Sequence, residues 1–258
     1  MKNILIVGMG EIGNSVARLY DDSYKIYYAN RSNVNNSYQN INKIKNEIVI
    51  DVMHICIKYS DEFIDIVTDY IKKYDPKLTL IDSTVMIGVT RKIFDSTQVD
   101  IVHTPVMGIH PNLTTGILTF KKIIGPISEK AGKSAAEHLK DINVNTIIYE
   151  CPEESEAAKL LSTTYYGLNI SFMQEIHKLC NEYNLNFDNV YTNTNNLYND
   201  GYTKLDMLHV RRPVLKYMGE GIGGHCVYQN ADMLEKHNIK IDAIKNILKA
   251  GRNKELSR

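Results

Sequence analysis

Two glycine clusters hold the residues of this sequence that could do chemistry, one near each end of the chain. In ILIVGMGEIGNSVARLY, Gly8, Gly10 and Gly13 form a GxGxxG that follows an apolar run and opens a helical pattern. The first glycine permits a tight turn, the second lets the backbone approach a pyrophosphate, and the third lets strand and helix pack closely. With Glu11 and Ile12 they begin a helix whose N–H groups face phosphate, so the expected ligand is a dinucleotide. At the far end, GEGIGGHCV sets Cys226 behind Gly219, Gly221, Gly223 and Gly224, a thiol on almost bare backbone.

The end of the second strand pattern selects between cofactors. An NAD site usually places an acid there to hold the ribose 2′-hydroxyl. Here the residues are Tyr28, Ala29, Asn30, Arg31 and Ser32, with no acid among them. Arg31 can pair with a 2′-phosphate, and Asn30 and Ser32 can donate hydrogen bonds to it. The reading is NADP(H) in preference to NAD.

These residues need elements to position them. Up to about residue 150, apolar runs alternate with amphipathic stretches: NILIVGM, KIYYANR, VMHICIK, LTLIDST, DIVHTPV, KKIIGP and NTIIYE read as strands. The alternation predicts an α/β fold, a doubly wound Rossmann-type parallel sheet with helices on both faces. After Cys151 and Pro152 the pattern becomes helical. Ala157, Leu160, Leu161, Leu168, Phe172, Ile176 and Leu179 recur at helix spacing with no internal proline, predicting one helix of some 30 residues, about 45 Å long. Further helices are expected at 187–198, 229–237 and 241–250. The domains read as 1–150, dinucleotide-binding, and 151–258, an all-α domain for substrate and dimer contacts.

Composition sets limits on function. Thirty Lys and Arg balance thirty Asp and Glu over 258 residues, which argues against a nucleic-acid partner. The four cysteines form no CxxC pair and read as reduced thiols. No apolar run reaches the roughly 20 residues that span a bilayer, and the N-terminal run is interrupted too early for a signal peptide. The expectation is a soluble, cytoplasmic protein with no membrane partner.

Three segments resemble those of the UDP-glucose/GDP-mannose dehydrogenase family, and in the same order: LIDSTVMIGVT, SEAAKLLSTTYYGLNISFMQEIHKLC and GEGIGGHCV. The resemblance covers the N-terminal Rossmann domain and central helical domain of those enzymes. They continue into a second nucleotide-binding domain, and no counterpart of it is expected here. The family oxidises a sugar primary alcohol to a carboxylate by two hydride transfers through a cysteine thioester. The resemblance therefore implies Cys226 as nucleophile, Lys159 as catalytic lysine, and Thr84 near the nicotinamide. It implies a substrate site including Thr163, Gly223, Gly224, His225 and Asn230. The family has Asn where Thr163 stands, Asp where Asn230 stands, and Pro-Glu where Pro105 and Val106 stand.

Bare glycines would leave space for thiol attack, and flanking N–H groups could hold an oxyanion. His110 or His103 could serve as general acid/base in place of a missing carboxylate. The Cys and His spacing fits no standard zinc site, so no metal is expected. His54 reads as a core residue, and the tyrosines Tyr165 and Tyr166 as a packing surface. The principal reading is an NAD(P)-dependent oxidoreductase acting at a hydroxyl or carbonyl carbon, on a small molecule that is a sugar or sugar derivative, and forming a homodimer through the helix near 153–184. The alternative is a dinucleotide-binding sensor or assembly protein that has lost catalysis.

Overall fold

The structure is a computed structural model that describes residues 1–31, 37–44, 48–108, 112–222, 225–237 and 239. Among them eight strands form one sheet: β1 (Lys2–Val7), β2 (Tyr24–Ala29), β3 (Gln39–Asn40), β4 (Val52–Ile55), β5 (Leu78–Ile81), β6 (Ile101–His103), β7 (Lys122–Pro126) and β8 (Thr146–Ile148). Their order is β3-β2-β1-β4-β5-β6-β7-β8. The seven expected strands are present, and the two-residue β3 adds to them.

Continuous Ile, Leu and Val runs suit strands covered on both faces. Accordingly Ile4, Leu5, Ile6, Leu80, Ile81 and Ile101 have no solvent exposure. From β1 the chain builds outward in one direction through β2 and β3, and in the other from β4 onward, so the strand order reverses between β1 and β4. Ligands of open α/β sheets bind beyond the carboxyl ends at such a reversal.

One pairing departs from the parallel expectation: β7 runs antiparallel to β6, with Val102 opposite Pro126. Among the described residues, the connection between them holds the short α4 (Leu113–Thr119). A buried strand of either direction carries the same unbroken apolar run, so hydrophobic pattern alone does not distinguish the two. β8 then pairs parallel to β7 after α5 (Glu129–Asp141), whose cap residue Ser128 accepts from the Ala131 N–H.

The remaining helices of this part are α1 (Glu11–Ala17), α2 (Phe63–Tyr74) and α3 (Val89–Thr97). Helix α2 buries Phe63, Val67 and Ile71 along one stripe, the i, i+4, i+8 spacing that faces a sheet.

The long helix is α6 (Pro152–Glu182), 31 residues. The chain divides within it into compact units Met1–Lys159 and Leu160–Arg258. In the second unit, a π-helical turn Asp188–Asn193 leads into α7 (Thr194–Lys204), and α8 spans His225–Lys236. The helix expected at 187–198 thus begins where expected, with a π-helical first part, and runs on to Lys204, and α8 starts earlier than 229. The helix expected at 241–250 lies outside the described residues.

Candidate active site

The turn from β1 into α1 has the geometry its glycines require. Gly8 has φ +92°, and a Cβ there would meet Ile57 Cγ2 at 2.7 Å and the Cys56 carbonyl oxygen at 2.8 Å. A Cβ on Gly13 would run into the Gly8 carbonyl oxygen. In front of Gly10 the space is open, with nothing within 4 Å. The turn is tied down on both sides: Gly8 N–H donates to the Ala29 carbonyl at 2.8 Å, Met9 N–H donates to Asn30 Oδ1 at 3.3 Å, and Asn14 Nδ2 donates to the carbonyls of Met9 and Gly10 at 2.9 Å each. Glu11 and Ile12 open α1.

Beside the turn lies a cleft of about 590 Å³. Gly8, Gly10, Asn30, Arg31, Lys58 and Tyr70 are among the residues that line it. Asn30 Oδ1 thus holds the glycine turn, while the atom expected to donate to a 2′-phosphate is Nδ2 of the same amide. Arg31 is exposed at the cleft. Its charge reaches Glu62, whose carboxyl is lowered mainly by the Ser60 hydroxyl and in smaller part by Arg31. Ser32 and His110 lie outside the described residues.

The carboxyl ends of β5 and β6 bring further groups to the same end of the sheet. After β5 come Asp82, Ser83 and the half-buried Thr84. Ser83 Oγ donates to the Ile57 carbonyl at 2.6 Å, tying this segment to the loop after β4. Lys159 Nζ donates to the Val106 carbonyl at 2.8 Å, at the segment that follows β6. Three residues earlier on α6, the Glu156 carboxylate accepts from Gly88 N–H at 2.6 Å, Thr90 N–H at 2.8 Å and Thr90 Oγ1 at 2.6 Å. Glu156 therefore caps the start of α3 and fixes the helical turn that carries Lys159. Burial raises its carboxyl, against the pull of those three donors.

His103 does not fit the general acid/base role. It is fully buried in β6, its ring held by Ser155 Oγ at 2.7 Å and the Ser83 carbonyl at 3.1 Å. Burial lowers its pKa to about 3.

In the second unit, Asn230 on α8 donates through Nδ2 to Thr163 Oγ1 on α6 at 2.8 Å. Cys226 is exposed and stands second in α8, at the N-terminal end of a 12-residue helix. Such a helix start stabilises negative charge placed on it. His225 is the first residue of α8, and Gly223 and Gly224 lie outside the described residues.

Residues 153–254 match the model of the UDP-glucose/GDP-mannose dehydrogenase family, central domain. Over that stretch the chain resembles the central domain of the UDP-glucose/GDP-mannose dehydrogenase family. It is 26% identical over 181 residues to a UDP-N-acetyl-D-mannosamine dehydrogenase of Methanococcus vannielii, covering 69% of this chain and 36% of that protein. A UDP-N-acetyl-D-mannosamine dehydrogenase of Methanococcus maripaludis is 25% identical over 173 residues, covering 66% of this chain and 37% of that protein. The chain thus aligns to little more than a third of the length of these curated relatives. Among solved structures, the UDP-D-ManNAc dehydrogenase of Pyrococcus horikoshii superposes with a TM-score of 0.75 at 18% identity, over 97% of this chain and 68% of that one. A 3-hydroxyisobutyrate dehydrogenase of Mycobacterium tuberculosis superposes with a TM-score of 0.65 at 13% identity, over 96% of this chain and 92% of that one. These likenesses show the fold.

The fold also contains a buried polar chain that sequence reasoning missed. Asp82 Oδ2 pairs with His54 Nδ1 at 2.7 Å, and Asp82 Oδ1 with Lys122 Nζ at 2.8 Å. Lys122 also donates to the Thr104 carbonyl at 2.6 Å. The Tyr20 hydroxyl bridges His54 Nε2 at 2.6 Å and His138 Nε2 at 2.8 Å. His138 Nδ1 has no hydrogen-bond partner among the described residues. Burial alone would raise the Asp82 carboxyl, but the charges of Lys122 and His54 outweigh it and hold the pKa at about 2. The segment just before Thr84 is thereby anchored on a buried charge cluster. His54 was readable as a core residue, but no spacing in the sequence links it to Lys122 or His138.

Proposed function

We propose that the chain is an NAD(P)-dependent oxidoreductase acting at a CH–OH or carbonyl carbon. Lys159 and Cys226 are its reactive side chains, and Thr84 lies near the reacting carbon. The reading rests on Lys159, whose ammonium is tied to the Val106 carbonyl at the carboxyl end of the sheet that also presents the Gly8–Gly13 turn. A dinucleotide fits the residues present, because the face of Gly10 is open and Arg31 and Lys58 both line the cleft. NADP(H) is preferred over NAD, with Arg31 on the 2′-phosphate and Lys58 as a second cation. A nicotinamide bound there takes up or supplies the hydride. Lys159 Nζ provides the positive charge that stabilises an alkoxide on the substrate. The Cys226 sulfur adds to an aldehyde carbon, and the first N–H groups of α8 stabilise the oxyanion formed.

The substrate is a small molecule, a sugar or sugar derivative, contacted by Thr163, Gly223, Gly224, His225, Asn230 and His110. The region before about residue 150 serves the cofactor, and the region after it serves substrate and dimer contacts. Dimerisation is supported by the two stripes of α6. One is buried and carries Leu160, Thr164, Ser171 and Gln174. The other, one residue further round, exposes Leu161, Tyr165, Phe172 and Leu179, an apolar seam at 4- and 7-residue spacing that suits a second copy. No helix among the described residues is long and apolar enough to cross a membrane, and we place the protein in the cytoplasm.

The test is cofactor-coupled absorbance at 340 nm with NADP⁺ or NAD⁺ against a panel of nucleotide sugars, free sugars and short hydroxy acids. Turnover that disappears in Lys159→Met is expected. Tight NADPH binding with no turnover of any panel member would overturn the enzyme reading and leave a binding protein.

A further inference from the structure

Between α7 and α8 the chain crosses the second unit as an irregular strap, residues 211–222. An irregular segment holds one conformation only where side chains satisfy its backbone groups, and this strap is pinned along its length. Asn199 accepts from Arg212 N–H at 2.8 Å and donates to the Arg212 carbonyl at 2.9 Å. The Tyr191 hydroxyl accepts from Leu215 N–H at 3.1 Å and donates to the Pro213 carbonyl at 3.3 Å. The Tyr217 ring stacks on His177, centroids 3.6 Å apart. The last pin lies nearest to Cys226. Gln174 Nε2 donates to the Gly219 carbonyl at 3.2 Å and to the Gly221 carbonyl at 2.7 Å.

Gln174 is 6% exposed, so its carboxamide is committed to the strap and not to solvent. Gly219 and Gly221 have φ +97° and +83°, a backbone that L side chains rarely adopt. That conformation turns two carbonyls, two residues apart, toward a single nitrogen. A carboxamide NH₂ matches the arrangement because it carries two donor hydrogens.

We propose that Gln174 is a positioning residue for the Cys226 thiol: it holds the carbonyls of Gly219 and Gly221 and so fixes the strap up to Ile222, four residues before the thiol. The proposal rests on the reading of Cys226 as nucleophile, and it assigns the thiol's placement to a side chain on α6.

Two rates test it in the full chain: alkylation of Cys226 by iodoacetamide relative to Cys151, read by peptide mass spectrometry, and limited tryptic cleavage after Lys216, within the strap. Gln174→Met keeps the side-chain volume and removes both donors. It should raise cleavage after Lys216 about tenfold, as expected for losing roughly one net hydrogen bond's worth of clamp. It should also slow Cys226 relative to Cys151 by about threefold. Gln174→Glu keeps the shape but sets acceptor oxygens against the two carbonyls, and should raise cleavage and slow Cys226 at least as much as Gln174→Met. Gly221→Ala strains the same clamp from the strap side, and carries the test should Gln174→Met fail to fold. Rates unchanged in both Gln174→Met and Gly221→Ala would overturn the proposal. Parental Cys226 alkylating no faster than Cys151 would instead remove the nucleophile reading, while the cleavage rates still report on the clamp.

Discussion

Asn230 Nδ2 and Thr163 Oγ1 lie 2.8 Å apart and join α8 to α6. These are the two helical positions at which the chain departs from the Asp and Asn of the family it resembles. The departures therefore meet each other: a neutral amide–hydroxyl bond stands where an acid and an amide would be. Thr163→Val would leave the amide of Asn230, 4% exposed, without that acceptor. A loss of about 1–3 kcal/mol is expected, the cost of an unsatisfied buried donor, read as a lower urea midpoint at unchanged slope. A midpoint equal to the parent's would show that the bond contributes nothing.

Cofactor preference can be checked by titration. NADPH should bind at least about tenfold tighter than NADH, roughly 1.4 kcal/mol, a modest value for one charge-assisted contact. Arg31→Ala should remove most of the difference, and Lys58→Ala part of it. Equal affinities in the parent protein would contradict the assignment.

The buried charge cluster sets acid sensitivity. Asp82 titrates at about 2 in the folded chain against 3.8 for a free carboxyl, so its contribution is present above pH 4 and is lost as pH falls toward 2. The shift corresponds to roughly 2 kcal/mol. His103 and His138 titrate at about 3 when folded against 6.5 when free, in both cases chiefly through burial. They bind protons on unfolding, so stability falls as pH drops below 6.5, by up to about 3 kcal/mol per pH unit for two histidines. Urea midpoints that stay constant between pH 7 and pH 5 would refute this. Asp82→Asn, which leaves Lys122 buried without its counter-charge, should cost about 3–5 kcal/mol.

Assembly is read by light scattering. The exposed seam of α6 predicts a homodimer at micromolar concentration, and Phe172→Glu at its centre should give a monomer by placing a charge in an apolar contact. A monomeric parent protein would exclude the dimer.

Thiol exposure predicts an order of reactivity. Cys226 is exposed, whereas Cys56 and Cys180 are buried, and burial pushes the Cys56 thiol well up. At neutral pH Cys226 should alkylate at least about tenfold faster than either, because only an accessible thiolate reacts. Comparable rates for all three would leave the second glycine cluster as a turn.

The sequence by itself determined what is local. The Gly8, Gly10 and Gly13 turn was legible because positive φ and close approach are demands on single residues, met within a few positions of each other. The strands were legible as apolar runs, and α6 as a long 3.6-residue periodicity. Tertiary structure alone decided what depends on residues far apart in the chain. The antiparallel entry of β7 leaves no trace in its apolar pattern. Glu156 caps α3 from 66 residues away, and Tyr20 meets His138 across 118. The glycines of the strap were legible, but the side chains that pin it, Gln174, Tyr191 and Asn199, were not. A side chain's partner is fixed by where the sheet and helices bring it, and a buried polar group takes whichever partner the fold delivers because leaving it unpaired costs more.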